Sequence, residues 1–171
     1  MKVIGHRGAA AHAPENTLES FAVAIDLGVD AIETDVQETD DGELVLIHDK
    51  TLDRTTNGKG LVRKTPWAVI ESLDAGSWFA SRFRGAKVPL LRDALQQYGS
   101  RTKLVLEIKR VKSGLKALDM VREFGLVDRL TFTSFELKVL KKIRKREPAA
   151  KAGFISSKVD DARLALEAGV N

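Results

Sequence analysis

Two histidines of this chain are of the residue type suited to acid and base chemistry. His6 stands in the sequence His6-Arg7-Gly8, and His48 is followed directly by Asp49. Imidazole has an unperturbed pKa of about 6.5, so both of its protonation forms are accessible near pH 7. Each histidine follows a short apolar run, which predicts that both lie where a β-strand ends.

Three carboxylates occur at spacings that predict convergence. Glu33 and Asp35 share one predicted strand, and Glu107 shares another with Lys109. Residues i and i+2 of a strand project from the same face, so the members of each pair point together. Carboxylates near 4 Å repel by roughly 4 kcal/mol per pair at an effective dielectric of 20, which a cation would offset. Oxygen ligands select Mg²⁺ or Ca²⁺, and the absence of cysteine removes the commonest zinc sites. This inventory suits cleavage of a phosphodiester with one hard metal ion.

A predicted hairpin brings one histidine towards these carboxylates. Asp-Gly is the strongest short hairpin signal, so we expect Asp41-Gly42 to form a two-residue turn. In that register Asp35 faces His48.

Each candidate also has an ordinary structural explanation. Glu107 and Lys109 could form an ion pair without a ligand, and Asp49 is typical of a turn. The third histidine, His12, lies in a predicted loop, where exposure to solvent explains it. The functional hypothesis therefore depends on all the candidates occurring together.

An ordered set of short motifs resembles the glycerophosphodiester phosphodiesterase family. In chain order the motifs are His6-Arg7-Gly8, Pro14-Glu15-Asn16-Thr17 with Phe21, Gly28-Val29-Asp30, Glu33-Thr34-Asp35-Val36, Thr39-Asp40-Asp41-Gly42, His48-Asp49 with Leu52, Arg54-Thr55-Thr56 and Gly58, Glu107-Ile108-Lys109, and Ser134-Phe135. An ordered set is far more specific than any one of its members. The resemblance implies an α/β fold of the (β/α)8 TIM-barrel type and a small-molecule glycerophosphodiester substrate.

The resemblance also implies roles for individual residues. They are the general acid and base His6 and His48, in an order left open, the ligands Glu33, Asp35 and Glu107 of one divalent cation, Mg²⁺ or Ca²⁺, and the phosphate-binding residues Arg7 and Lys109. We therefore expect a hydrolase that releases sn-glycerol 3-phosphate and an alcohol. The alternatives are a non-catalytic homologue that binds metal and phosphate, and a phospholipase-like phosphodiesterase acting on intact lipids.

Strand and helix signals alternate along the chain, which predicts parallel βα units in one domain of residues 1–171. The predicted strands are 3–5, 31–37, 104–109, 130–134 and 152–155, with 44–48 as the return arm of the hairpin, and the predicted helices are 17–27, 90–98, 114–124, 136–146 and 160–168. Glycines end several of these helices, and Asn16 is predicted to cap the first one, with Glu19 completing a capping box. Glu15 is left outside the predicted site.

Length limits how much of a barrel this chain can form. A full barrel takes about 250 residues, whereas this chain has 171. Residues of about 50–88 are predicted to form a small insertion subdomain, with an apolar cluster of Trp67, Leu73, Trp78, Phe79 and Phe83. Only about five βα units then fit. A partial barrel has open sheet edges, which are a route to association. We therefore expect one of three situations: a segment of a longer protein, a shortened gene product completed as a homo-oligomer through those edges, or an open partial barrel with weak or no activity.

Composition is typical of a globular domain. Hydrophobic residues make up 43% and charged residues 30%, and no apolar run reaches membrane-spanning length. We expect no stable membrane insertion, and a cytoplasmic location because the first residues are needed as a strand rather than as a signal peptide. The net charge of +4 would suit nucleic acid. However, the basic residues of helix 136–146 lie opposite an apolar stripe, so we expect no nucleic-acid partner.

Overall fold

Short strands and helices alternate in the structure, a computed structural model that describes residues 1–158, 161–167 and 170. The strands are β1 (Ile4–Gly5), β2 (Ala31–Glu38), β3 (Leu44–Leu46), β4 (Lys103–Ile108), β5 (Leu130–Ser134) and β6 (Lys151–Phe154). The helices are α1 (Leu18–Asp26), α2 (Trp67–Ser72), α3 (Leu91–Tyr98), α4 (Val111–Glu123), α5 (Leu137–Arg146) and α6 (Asp161–Glu167). Most predicted bounds are correct to within one or two residues, although α4 begins three residues earlier than predicted. For the last predicted helix, Asp160, Ala168 and Gly169 lie outside the described residues.

The sheet is parallel in the order β1-β2-β4-β5-β6, and β3 pairs antiparallel with β2. Side chains alternate along each strand, so Leu104, Leu106 and Ile108 of β4 face the helices, and Glu107 faces the opposite side. The register places Asp35 of β2 directly beside Glu107. Parallel pairing thus brings carboxylates that are distant in sequence to one face of the sheet.

The hairpin between β2 and β3 differs from the prediction by one residue. The N–H of Thr39 donates to the carbonyl of Glu43 at 2.9 Å, which leaves a three-residue loop that ends at Gly42 with φ 92°. This is the common loop in which a glycine takes the left-handed conformation. Consequently the carbonyl of Asp35 accepts from the N–H of Ile47 at 3.0 Å. The predicted pairing of Asp35 with His48 is wrong.

The structure corrects the predicted caps at two helix ends, the N-terminal cap of α1 and the glycine that ends α3. Thr17 caps α1, since its side chain accepts a hydrogen bond from the N–H of Ser20 at 3.2 Å. The prediction that Asn16 is the cap is wrong, because its side chain turns towards β2. Gly28 follows α1 with φ 77°, as expected of a terminal glycine. Gly99, by contrast, keeps a right-handed helical conformation.

The main core lies between the sheet and its helices. Phe21, Ile32, Leu106 and Phe132 are fully buried there. In α5 the side chains of Val139, Leu140 and Ile143 are buried, which confirms the predicted apolar stripe. The described residues contain no helix that is both long and apolar enough to cross a membrane.

The segment after β3 has a second, smaller core. Val62 and Ile70 are fully buried in it, and Trp67 and Leu73 pack against it. The remaining predicted aromatic residues form a separate chain of edge-to-face contacts, in which Trp78, Phe79 and Phe83 have ring centroids 5.7 and 5.6 Å apart. The predicted single cluster is therefore two groups.

Replacing Phe132 by alanine should lower the free energy of unfolding by about 3–5 kcal/mol, because it leaves a cavity in the main core. Equilibrium unfolding in urea measures this change. The matched control is Phe135→Ala, since the ring of Phe135 is 62% exposed at the end of the same strand. We expect the control to change stability by less than about 0.5 kcal/mol. Equal losses in both variants would contradict the packing described here.

Candidate functional site

Three carboxylates converge on one face of the sheet. Glu33, Asp35 and Glu107 each offer an oxygen, and the three oxygens lie within 4.8 Å of one another. Asp35 is 1% exposed and Glu107 is 9% exposed, so little water reaches them. The prediction that these three residues come together is confirmed by this geometry.

Asn16 fixes the position of Asp35. Its side-chain amide donates to Oδ2 of Asp35 at 3.0 Å. Its Oδ1 accepts from the hydroxyl of Thr34 at 2.7 Å and from the N–H of Asp35 at 3.3 Å. Asn16 is buried and has φ 58°, a left-handed conformation that asparagine tolerates better than most residues. It therefore belongs to the site rather than to the helix cap.

The turn after β1 directs a backbone N–H group towards the carboxylate of Glu33. The N–H of Arg7 donates to Oε2 of Glu33 at 3.0 Å, and Nε2 of His6 lies 3.8 Å from the same oxygen. Arg7 and Gly8 both have positive φ, and a Cβ on Gly8 would lie 2.3 Å from Oγ of Ser20. Only glycine fits this approach, which explains the motif His6-Arg7-Gly8.

Two cations lie against the carboxylates. Nζ of Lys109 is 2.8 Å from Oδ1 of Asp35 and also contacts Glu107. Nη1 of Arg7 donates to Oε1 of Glu15 at 2.8 Å, and its Nε lies 3.5 Å from Oδ2 of Asp35. Both cations are at the edge of the acidic cluster, where they can also bind an anionic ligand.

His48 joins the site through a chain of charged contacts. Its Nδ1 lies 2.8 Å from Oδ1 of Asp49, and Nε of Arg54 donates to Oδ2 of Asp49 at 2.7 Å. Arg54 also donates to both oxygens of Glu15, at 2.7 and 2.8 Å. Because Glu15 in turn binds Arg7, the two loops that carry His48 and Arg7 are linked.

Burial makes the carboxylates hard to ionise together. Desolvation, with a further contribution from the charge of Asp35, raises the pKa of Glu33 to about 7, although the N–H of Arg7 partly opposes the shift. Desolvation alone would lower the pKa of Lys109, but its close contacts with the carboxylates of Asp35 and Glu107 outweigh this effect and raise it. The cluster therefore favours additional positive charge.

The donor set fits a hard divalent cation. All the converging atoms are carboxylate oxygens, which are the ligands that Mg²⁺ and Ca²⁺ prefer. Oδ1 of Asp35 is buried and accepts no hydrogen bond of good geometry, despite its proximity to Lys109. A buried carboxylate oxygen without a well-aligned hydrogen-bond donor suits a cation ligand.

Comparison with known proteins agrees with this geometry. The model of the glycerophosphoryl diester phosphodiesterase family matches residues 6–170. The chain belongs to this family. A glycerophosphodiester phosphodiesterase of Caldanaerobacter subterraneus is 40% identical over 162 residues, covering 90% of this chain but only 65% of the relative.

Two solved structures share the fold. The glycerophosphodiester phosphodiesterase of Agrobacterium tumefaciens superposes with a TM-score of 0.84 at 39% identity, covering 89% of this chain and 65% of that one. A phosphodiesterase of Oleispira antarctica, solved with the product sn-glycerol-3-phosphate, gives 0.91 at 32% identity, covering 99% of this chain and 72% of that one. These matches confirm the predicted (β/α)8 barrel type, of which the described residues supply five parallel strands.

Four residues of the site were not predicted from the sequence as functional residues. They are Glu15, Asn16, Asp49 and Arg54. All four stand inside the motifs that carry the family resemblance, which was the available signal. The contacts of Asn16 with Asp35 and of Arg54 with Glu15 join segments that are separated in sequence, so no local pattern could reveal them. Asp49 adjoins His48 in the chain, but an aspartate at this position is also typical of a turn.

Binding of Mg²⁺ or Ca²⁺ should weaken as the pH falls below about 7, by about tenfold per unit, because a proton then competes at Glu33. In the cation-free protein the pKa of Glu33 rises from 4.5 to about 7 on folding. The free energy of unfolding therefore falls as the pH rises from 4.5 to about 7, because the unfolded chain loses this proton more readily than the folded protein does. The cation should therefore raise the melting temperature more at pH 8 than at pH 6. In Glu33→Gln this difference should shrink, and a larger shift at pH 6 in the native protein would refute the assignment.

Replacing Asn16 by alanine should cost about 2–3 kcal/mol of stability, since it leaves buried partners unpaired and puts alanine in a left-handed conformation. It should also weaken cation binding, because Asp35 loses its orientation. Chemical denaturation and calorimetric titration measure the two effects. Asn57→Ala is the control, because Asn57 is exposed and its side chain accepts one hydrogen bond, from the N–H of Asp74. Equal effects of the two variants would argue against a role for Asn16 in the site.

Proposed function

We propose that this chain hydrolyses glycerophosphodiesters to sn-glycerol 3-phosphate and an alcohol, using one divalent cation, Mg²⁺ or Ca²⁺. The observation that carries the proposal is the convergence of Glu33, Asp35 and Glu107, with His6 3.8 Å from Glu33. Membership in the family supports the same reaction, as does the product bound to the Oleispira relative. The chain spans about two thirds of its curated relatives' length, so the activity of the whole protein is part of the proposal.

His6 and His48 act as the general acid and base of this reaction. One imidazole takes a proton from the attacking oxygen, and the other gives a proton to the leaving alcohol. Nε2 of His6 is accessible because this side chain is 70% exposed. Nδ1 of His48 is held by Asp49, so its Nε2 is the atom available for proton transfer.

Arg7 and Lys109 bind the non-bridging oxygens of the phosphate. Both lie beside the carboxylate cluster, and their charges would compensate the anion as well as the acids. A cation bound by Glu33, Asp35 and Glu107 would neutralise phosphate charge and orient the attacking group. The open cleft lined by His48, Lys109 and Arg110 accommodates the alcohol.

The remaining sequence predictions stay predictions. They are the domain limits of 1–171 with an insertion at about 50–88, the cytoplasmic location, the homo-oligomer through open edges, and the absence of nucleic-acid and stable membrane contacts. Action on intact lipids is the competing substrate class. Comparing intact with deacylated glycerophospholipids as substrates distinguishes it.

Substitution of either catalytic histidine by alanine should lower kcat for release of glycerol 3-phosphate from glycerophosphocholine by about 10²–10⁴-fold. Each substitution removes one proton-transfer group and leaves the cation ligands in place. A coupled assay of glycerol 3-phosphate with added Mg²⁺ or Ca²⁺ measures the loss. His12→Ala is the matched control, because His12 is exposed and lies in the loop before α1. Turnover that survives in His6→Ala and His48→Ala would eliminate the catalytic assignment, and native protein that binds the cation without turnover would be the non-catalytic homologue.

A further inference from the structure

One arginine outside the acidic cluster joins the two loops that carry the proposed catalytic and phosphate-binding groups. Nε and Nη2 of Arg54 donate to the two oxygens of Asp49 at 2.7 and 3.0 Å. Nη1 and Nη2 donate to the two oxygens of Glu15 at 2.8 and 2.7 Å. Asp49 lies just after β3, whereas Glu15 lies between β1 and α1. A single guanidinium therefore connects the loop after β3 to Glu15, which lies 39 residues from Arg54 in the chain.

On one side, Arg54 acts on His48. The Asp49 carboxylate that binds Arg54 also contacts Nδ1 of the imidazole at 2.8 Å. The hydrogen bond from Arg54 is the main reason that the pKa of Asp49 lies well below its usual range, so Asp49 stays an acceptor. An ionised acceptor at Nδ1 holds the proton there and leaves Nε2 unprotonated in the neutral ring. Ring orientation and tautomer at His48 thus depend on where Asp49 is held.

On the other side, Arg54 acts on Arg7. Oε1 of Glu15 accepts from Nη1 of Arg7 at 2.8 Å and from Nη2 of Arg54 at 2.7 Å. Burial would raise the pKa of Glu15, but its hydrogen bonds to Arg54 and Arg7 outweigh this effect and lower it, so the carboxylate stays charged. Without Arg54, one cation instead of two would hold Glu15. The guanidinium of Arg7 would then lose a fixed partner.

The contact geometry requires arginine at this position. Four hydrogen bonds to two carboxylates use the planar fork of the guanidinium, with one edge directed to each partner. A lysine supplies a single point charge and cannot hold both carboxylates in the same way. The side chain is 44% exposed, so its charge alone is weakly felt through water. Its contribution is therefore positional.

We propose that Arg54 is a positioning residue, which orients His48 through Asp49 and Arg7 through Glu15 at the same time. This inference rests on the proposed function, since it concerns the acid–base and phosphate-binding groups of that reaction. It assigns Arg54 no contact with the reacting atoms. One guanidinium would thereby couple proton transfer at one loop to phosphate binding at the other.

Steady-state kinetics on the full chain with glycerophosphocholine and Mg²⁺ or Ca²⁺ tests the proposal. In Arg54→Gln we expect kcat to fall by about 10- to 100-fold and KM to rise, because both partners lose their orientation. Arg54→Lys should remain nearly as impaired, since it restores the charge but not the fork. In Asp49→Ala the fall in kcat should be at least as large, because His48 loses its partner. Adding Arg54→Gln to Asp49→Ala should then raise KM, through loss of the Glu15 contacts, without a further fall in kcat.

The matched control is Arg92→Gln. Arg92 makes two hydrogen bonds to Glu123 at 3.1 Å on the outer helices, and its side chain is 47% exposed. We expect native kcat and KM in this variant. Melting temperatures of all the variants identify any loss that comes from unfolding. Native kcat in Arg54→Gln, full rescue by Arg54→Lys, or multiplying effects of Asp49→Ala and Arg54→Gln on kcat would overturn the proposal.

A spectroscopic measurement keeps this test separate from the proposed function. Nitrogen NMR of ¹⁵N-histidine-labelled protein reports which ring nitrogen of His48 carries the proton, with the signal assigned by its loss in His48→Ala. We expect the Nδ1–H form in native protein and in Arg92→Gln, and a smaller Nδ1–H population in Arg54→Gln and in Asp49→Ala. An unchanged tautomer in Arg54→Gln would refute the positioning role. Absence of turnover in native protein with the expected tautomer shifts would refute only the proposed function.

Discussion

Buried negative charge is the constraint on which the rest of this structure depends. Three carboxylates meet within 4.8 Å on the face of a sheet, where water screens them little. Each pair of such charges repels by several kcal/mol, which is comparable with the whole stability of a domain. The neighbouring elements therefore supply hydrogen-bond donors and cations, and these groups are also the ones that a phosphate ester needs.

The compensating groups come from several segments around the cluster. Asn16 reaches Asp35 from the loop after β1, the N–H of Arg7 reaches Glu33, and Lys109 approaches from the end of β4. Gly8 permits the tight turn because a larger residue would collide with Ser20. A second layer of ion pairs, centred on Arg54, then holds the loops themselves. The geometry of the proposed catalytic site and the compensation of charge are thus the same arrangement.

Local patterns predicted the elements better than the contacts between them. Alternation in β4 placed Glu107 and Lys109 on one face, and the apolar stripe of α5 was found correctly. The Asp-Gly signal located the hairpin but not its loop length, and a change of one residue moved His48 away from Asp35. The sequence also predicted correctly that a polar side chain caps α1, but the cap is Thr17 rather than Asn16. The side chain of Asn16 instead donates a hydrogen bond to Asp35 of β2.

By itself, the sequence determined the strands, the helices, the residue types needed for the chemistry and, through ordered motifs, the family. These properties depend on periodicities and spacings within a few residues, which the chain carries locally. Tertiary structure alone decided that Asp35 lies beside Glu107, that Asn16 holds Asp35, and that Arg54 connects Glu15 to Asp49. Such pairings depend on strand order, strand register and the path of the loops. They form because burial and hydrogen bonding stabilise contacts between residues that are distant in sequence, and no local pattern relates those residues.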